Sequence, residues 1–255
     1  MKKKRFKLIA CDVFARLAYY EAAKSPNRID LELLPMLAHN EPDKLRKRLQ
    51  AAINKAGEGC ESGEAYDKII LAYGLCGNAV MNLSSPIPMV IPRMHDCCAM
   101  FMGSQEKFLQ VFGHRLSTPW RSCGYVERAE NPEFDMVQEF SYKLFPDYLK
   151  MVNEYGEENA EYIWVTMNPP AVVNEAVYIQ LQGFEYNDTQ KYYIDQKAEE
   201  GCSVETVLGD SSWFKRLVNG PWDSSEFLEI SPGNKILPLY DMEEVFREET
   251  CDNSY

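Results

Sequence analysis

YDKIILAYGLCGN, residues 66–78, is the segment on which the predicted fold rests. Its first half, residues 66–72, is a short apolar run of strand length and is typical of a strand buried on both faces of a parallel sheet. Its second half places Cys76 between Gly74 and Gly77, and glycine allows a turn to take positive φ. The segment therefore predicts a buried strand followed by a turn that presents Cys76 beyond the carboxyl end of that strand.

Other strands and helices alternate around this segment. Strand-like apolar runs occupy residues 7–14, 30–37 and 89–92, and helical patterns occupy residues 15–24, 43–56 and 99–112. Strands that alternate with helices in this way form parallel sheets with helices on both faces. We therefore predict an α/β fold with a parallel, doubly wound sheet in the N-terminal half.

The second half of the chain predicts a less regular α/β lobe. Helical patterns cover residues 134–155, 187–200 and 211–218, and strand-like runs cover residues 162–167, 202–208 and 227–230. Proline, glycine and polar residues collect between residues 117 and 131, which is typical of a boundary between lobes. We predict lobes at residues 1–120 and 121–255 that pack together as one structural unit.

Composition limits the classes of function. Lysine and arginine total 27 against 39 aspartate and glutamate residues, so the net charge of -12 disfavours binding to nucleic acid or to anionic membranes. The basic start of the chain is followed by too few apolar residues for a secretory leader, and no run approaches the ~20 apolar residues that span a bilayer. We expect a cytoplasmic protein whose eight cysteines are reduced thiols.

Cysteine and histidine residues follow the first four predicted strands. Cys11 ends the first strand, His39 follows the second, Cys76 follows the third, and His95 and Cys97 follow the fourth. The carboxyl ends of neighbouring parallel strands lie ~4.8 Å apart at one edge of a sheet, so these side chains can converge on one ion. Thiolate and imidazole ligands favour zinc. The sequence therefore predicts a metal site with Cys76, His95 and Cys97 as core ligands and with Cys11 or His39 completing it.

A second set of residues is predicted to support this site. Asp96 would orient an imidazole by accepting its hydrogen bond, and Arg93 would support a thiolate or an anionic substrate. Gly74, Gly77 and Asn78 would shape the turn that carries Cys76 and expose its backbone amides.

Two other functions fit the same residues. Cys76 or Cys97 would serve as the nucleophile of a thiol redox or covalent enzyme, activated by His95, although the chain has no CxxC pair. Alternatively, the thiols pack as small apolar side chains in a noncatalytic protein that binds a partner. Neither a complete GxGxxG nor a Walker sequence is present, which excludes a nucleotide fingerprint.

Several motifs resemble those of one protein family. Residues 34–40 (LPMLAHN), 72–78 (AYGLCGN), 90–97 (VIPRMHDC) and 208–222 (LGDSSWFKRLVNGPW) resemble the domain of unknown function 1638 family of bacteria and archaea. The resemblance implies a setting beside corrinoid-dependent methyltransferase systems and hence a role in one-carbon metabolism. It implies a small-molecule or corrinoid-protein partner and a corrinoid as a second cofactor beside zinc. The chain is then expected to act as a metal-dependent methyltransferase or as an accessory protein.

Overall fold

The computed structural model describes residues 3–36, 42–60, 63–75, 78–113, 118–128, 146–167, 174–185, 188–239 and 244–250. The chain divides into two compact units. The first unit combines Met1–Gln105 with Ser211–Tyr255, and the second is Glu106–Asp210. The first unit is therefore assembled from two separate stretches of sequence.

The first unit is built on a five-stranded sheet. Its strands are β1 (Arg5–Cys11), β2 (Arg28–Leu34), β3 (Lys68–Ala72), β4 (Met89–Pro92) and β8 (Phe227–Ile230), and they lie in the order β2-β1-β3-β4-β8. The first four run parallel, and β8 pairs with β4 in the antiparallel direction. Strands β3 and β4 are almost entirely buried because helices cover both faces of the sheet.

Helices and a short hairpin complete the first unit. They are a 3-10 turn at Asp12–Phe14, α1 (Ala15–Lys24), α2 (Pro42–Gly57), α3 (Cys97–Met102), α9 (Ser212–Asn219), and the hairpin of β9 (Lys235–Pro238) with β10 (Phe246–Glu249). Helix α1 packs beside α9, which lies on β3 and β4, whereas α2 lies on β1. Helix α1 connects β1 to β2, and α2 connects β2 to β3 in the opposite direction across the sheet. Because such connections are right-handed, the two helices lie on opposite faces of the sheet.

The second unit contains a three-stranded parallel sheet. Its strands are β5 (Trp120–Ser122), β6 (Glu175–Gln180) and β7 (Ser203–Leu208), with β6 in the centre, and its helices are α4 (Gln105–Phe112), α5 (Cys123–Arg128), α6 (Pro146–Tyr155), α7 (Glu157–Met167) and α8 (Thr189–Glu199). Ala176, Tyr178 and Tyr193 form a buried cluster with Val126 and Val204. This cluster fixes α5 and α8 against one face of the sheet.

The predicted fold class is confirmed: the protein is mixed α/β with a mostly parallel main sheet. The helix predicted at residues 15–24 and the strand at residues 89–92 have the predicted bounds. The helix predicted at residues 99–112 is two helices, α3 and α4, because Gly103 between them has a φ of 97°. The helix predicted from residue 134 is α6 in its described part, and residues 134–145 lie outside the described ranges.

The strand predicted at residues 162–167 is wrong, since these residues belong to helix α7. The run YIWVTM has strand propensity, but Ala160 is buried at helical spacing from Trp164, whose ring contacts Tyr148 of α6 at 5.7 Å. Packing between helices α6 and α7 therefore outweighs local propensity.

The division into units also differs from the predicted lobes at residues 1–120 and 121–255. Residues from Ser211 onward return to the first unit because β8 adds to the edge of the main sheet beside β4. The polar stretch between residues 117 and 131 contains β5 and α5 in its described part.

No helix in the described ranges has both the length and the apolar character needed to cross a bilayer.

We predict that the core of the second unit depends on Ile179, which is fully buried in the central strand β6. The change Ile179→Ala leaves a cavity and should lower the free energy of unfolding by about 2–5 kcal/mol. The matched control is Leu208→Ala in the neighbouring strand, where the side chain is 78% exposed, and it should change stability by about 0.5 kcal/mol or less. Urea unfolding measures both values, and equal losses would contradict the described register of β6 and β7.

Candidate site at the carboxyl edge of the main sheet

The strand order makes the region beyond the carboxyl ends of β1 and β3 the expected position of a crevice. The chain leaves β1 toward α1 on one face, whereas the segment after β3 packs along α2 on the other face, where Gln50 donates to the carbonyl of Ser84 at 2.8 Å. Neighbouring strands whose connections leave in opposite directions form the ligand-binding crevice of an open α/β sheet.

Cys11 is the last residue of β1 and lies at this crevice. Cys11 is half-buried, and its side chain makes no capping hydrogen bond to the 3-10 turn that follows. Burial raises the pKa of the Cys11 thiol, and the neighbouring Cys97 raises it further. The two thiols therefore lie close enough for their charges to interact.

Aromatic packing explains why Cys97 lies near Cys11. Phe14, three residues after Cys11, stacks on Phe101 with a distance of 4.7 Å between ring centroids. Cys97 and Phe101 are four residues apart in α3 and share one face of that helix. The indole of Trp213 donates to the carbonyl of Met100 at 2.6 Å and fixes α3 from the side of α9. The stacking therefore turns Cys97 toward the end of β1.

His95 and Asp96 form the turn that enters α3. His95 is buried, with 7% of its surface exposed. Asp96 caps the helix, because its Oδ1 accepts the N–H of Ala99 at 2.8 Å. Burial raises the pKa of Asp96, although the N–H of Ala99 and the charge of His95 act in the opposite direction. One oxygen of the Asp96 carboxylate is therefore used for the helix cap.

Gly74 brings the turn after β3 against the turn after β4. The N–H of Leu75 donates to the carbonyl of Met94 at 3.2 Å. A Cβ atom at Gly74 would lie 2.8 Å from the carbonyl oxygen of Met94 and 3.0 Å from the backbone nitrogen of Asp96. Close approach of the two backbones therefore requires glycine here, and Asn78, where the description of this segment resumes, has a φ of 67°.

Arg93 is engaged with backbone groups. Its Nε donates to the carbonyl of Ser224 at 2.8 Å, and its Nη1 donates to the carbonyls of Glu244 and Phe246 at 2.5 and 2.6 Å. The guanidinium thus holds the segment before β8 and the start of β10 against the end of β4. This structural task differs from the predicted contact with a thiolate or an anionic substrate.

One polar residue at this edge was missed by the sequence prediction. Arg46 lies near the start of α2, and its Nη2 donates to the carbonyl of Asn78 at 2.8 Å while its Nη1 donates to Asp43 at 2.9 Å. Within the described ranges, Arg46 Nε and Asn78 Oδ1 are buried and have no hydrogen-bond partner. Arg46 directly follows the buried Leu45 in an amphipathic helix. In the sequence alone, an arginine at such a position cannot be distinguished from an ordinary charged residue on the solvent-exposed face of a helix.

Cys11, His95 and Cys97 are the predicted ligands that the structure describes, and all three lie at the carboxyl edge. His39, Cys76 and Gly77 lie outside the described residues. Among the residues that are described, no group of three His, Cys, Asp or Glu side chains is arranged to hold a metal ion.

A cavity of about 410 Å³ lies at the opposite edge of the same sheet and is lined by Arg5, Tyr66 and Cys60 among others. Arg5 Nε and Nη2 donate to Asp30 at 2.9 and 2.6 Å, and the Tyr66 hydroxyl donates to the same carboxylate at 2.8 Å. The hydrogen bonds from Arg5 and Tyr66 to Asp30 connect β1 with β2. Cys60 is therefore a thiol remote from the candidate site and a suitable control.

Comparison with known protein families finds a match over most of the chain. A family model described as a protein of unknown function (DUF1638) matches residues 33–218, which include β3, β4 and α3 with their turns. No curated protein and no solved structure matches the chain.

We predict that the charge of Asp96 opposes folding near neutral pH. A carboxyl group whose pKa is raised in the folded state adds stability below its unfolded pKa, and that contribution is lost as the pH rises through the folded pKa. Because burial raises the pKa of Asp96 above 3.8, the stability of the wild type relative to Asp96→Asn should fall as the pH rises from 3.8 toward neutrality.

Urea unfolding of the metal-free proteins over this pH range measures the difference. Asp96→Ala is the control for the helix cap, and it should be about 1 kcal/mol less stable than Asp96→Asn at every pH because neither variant titrates at this position. A wild type that gains stability over Asp96→Asn as the pH rises would contradict the unfavourable burial of this carboxylate.

Proposed function

Because this chain belongs to the DUF1638 family, whose description names no activity, we propose its function from the site itself. It is a cytoplasmic zinc-binding protein that serves corrinoid-linked methyl transfer or one-carbon metabolism, as a methyltransferase or as an accessory protein. The observation that supports the metal site is the closeness of Cys11 and Cys97 at the carboxyl edge of the main sheet.

Two neighbouring thiols that are partly buried favour a cation between them. Burial raises the pKa of Cys11, and a negative charge on Cys97 raises it further, so Cys11 disfavours the thiolate form when no cation is present. A bound metal ion reverses this preference, since a coordinated thiol is deprotonated. The pair is thus suited to binding a metal ion and poorly suited to supplying a free Cys11 thiolate at neutral pH.

The remaining donors follow from the same turns. His95 lies two residues before Cys97, and Asp96 between them fixes the start of α3 by capping it. The turn after β3 contacts this segment through Leu75 and Met94, and Cys76 follows Leu75 directly in the sequence. Sulfur and imidazole donors of this kind match the ligand preference of zinc. The proposed set is Cys76, His95 and Cys97, with Cys11 and His39 as its neighbours.

The chain would contribute position and shielding to a methyl-transfer reaction. Zinc, when bound, lowers the pKa of a thiol acceptor and makes it a nucleophile. The methyl group would pass from cobalt to the thiolate sulfur, and both electrons of the cobalt–carbon bond would stay on the cobalt. The sequence resemblance to the family supports this part of the proposal, and the site chemistry is compatible with it.

Metal analysis tests the proposed site. Protein purified without oxygen or chelator should contain about one zinc ion per chain. Cys97→Ser, His95→Ala and Cys76→Ser should each lose most of this zinc while remaining folded by circular dichroism. Cys60→Ser removes a thiol at the opposite edge of the sheet and should keep the metal. A wild type without stoichiometric transition metal, or equal loss in Cys60→Ser, would contradict the site.

Methyl transfer has its own test. The zinc-loaded protein should accelerate the anaerobic transfer of methyl from methylcobalamin to a small thiol, followed by the absorbance of the corrinoid. His95→Ala should slow this reaction by about tenfold or more. A wild type that binds zinc but gives only the uncatalysed rate with methylcobalamin would support the metal site and contradict direct methyl transfer. The protein would then act as an accessory protein.

A further inference from the structure

Arg46 and Asn78 form a polar pair on the α2 side of the crevice. Their link is the hydrogen bond from Arg46 Nη2 to the carbonyl of Asn78, at 2.8 Å. Arg46 lies in the N-terminal part of α2, and Asn78 lies in the segment after β3. Because α2 begins at the edge where the parallel strands end, both residues lie at the carboxyl edge of the sheet.

The pair has unused hydrogen-bonding capacity. A guanidinium group has five N–H donors, and the described hydrogen bonds of Arg46 use Nη1 and Nη2 once each. The side chains of Arg46 and Asn78 are partly buried, with 32% of the Arg46 side chain exposed, but the atoms Arg46 Nε and Asn78 Oδ1 are themselves buried, and neither has a partner in the described part of the chain. A buried polar atom without a partner costs free energy, and a bound ligand that supplies the partner removes this cost.

The charge at this position favours an anion. The only carboxylate that the described structure pairs with Arg46 is Asp43, which is 84% exposed, and such exposed pairs contribute little. Helix α2 has 16 residues, and its N-terminus carries the positive end of the helix dipole at the same edge. A cation and a helix N-terminus therefore act together in a protein whose net charge is -12.

We propose that this pair binds an oxyanion, a carboxylate or a phosphate, of the small molecule that occupies the crevice. The oxyanion accepts hydrogen bonds from the guanidinium of Arg46, which is planar and suited to such groups. Asn78 Oδ1 accepts a hydrogen bond from a hydroxyl or amino group next to the oxyanion. The ligand class is thus a phosphate or a small carboxylic acid with a neighbouring donor.

The inference deepens the proposed function by naming the chemistry of its ligand, but the oxyanion site needs no metal ion. The pair lies on α2 and the segment after β3, whereas Cys11 is the last residue of β1 and Cys97 is the first residue of α3. Loss of zinc and loss of anion binding are therefore separable, since variants of Arg46 should keep the metal and variants of Cys97 should keep the anion.

Calorimetric titration with inorganic phosphate and with glycolate tests the proposal, at constant ionic strength maintained with chloride. Each probe carries an oxyanion and a hydroxyl donor, and the two arms distinguish a phosphate from a carboxylate ligand. At least one should bind saturably to the full-length wild type. Arg46→Gln should raise the dissociation constant of that probe by about tenfold or more. Arg48→Gln, which removes an exposed charge from the same helix, should change this dissociation constant by about twofold or less.

A second variant guards against misfolding of Arg46→Gln. Asn78→Asp keeps a residue type that tolerates the φ of 67° and places a negative charge beside Arg46, so it should abolish anion binding in a folded protein. Three results would overturn the proposal: no saturable binding of either probe to the wild type, equal weakening by Arg46→Gln and Arg48→Gln, or undiminished binding in Asn78→Asp.

Discussion

The parallel pairing of β1 with both β2 and β3 is the constraint on which the rest of the first unit depends. Arg5 to Cys11 align residue by residue with Arg28 to Leu34 on one side, and Phe6 to Ala10 align with Lys68 to Ala72 on the other. Because β1 lies between β2 and β3, the chain must leave it in one direction to form β2 and return past it to form β3. That return separates α1 from α2 and opens the crevice beyond the strand ends.

The packing of Phe14, Phe101 and Trp213 brings the residues of the candidate site together. These rings hold the 3-10 turn after β1 against α3 and α9, and as a result Cys11 and Cys97 become neighbours although 86 residues separate them. Gly74 adds the turn after β3 by letting its backbone touch Met94 and Asp96. The candidate site is therefore assembled by core packing and by one close backbone contact, and its polar residues are positioned by neighbours that have no chemical role.

The sequence predicts those strands and helices that depend on local patterns of apolar residues. Apolar runs of strand length and helical spacing identified β3, β4 and α1, and the alternation of elements identified the parallel sheet. Helix α7 was mistaken for a strand because the packing of Trp164 on Tyr148 is not visible in the sequence. Arg46 was missed for a similar reason: its importance comes from its contact with Asn78, which is 32 residues away.

The central claim is that sulfur and imidazole groups at the carboxyl edge share one zinc ion. X-ray absorption at the zinc edge, on anaerobically purified protein, reports the ligand atoms and their distances directly. The structure and the donor set predict a sulfur shell near ~2.3 Å together with a nitrogen shell near ~2.0 Å. A spectrum with only oxygen or nitrogen neighbours, and no sulfur at that distance, would contradict a thiolate-ligated site.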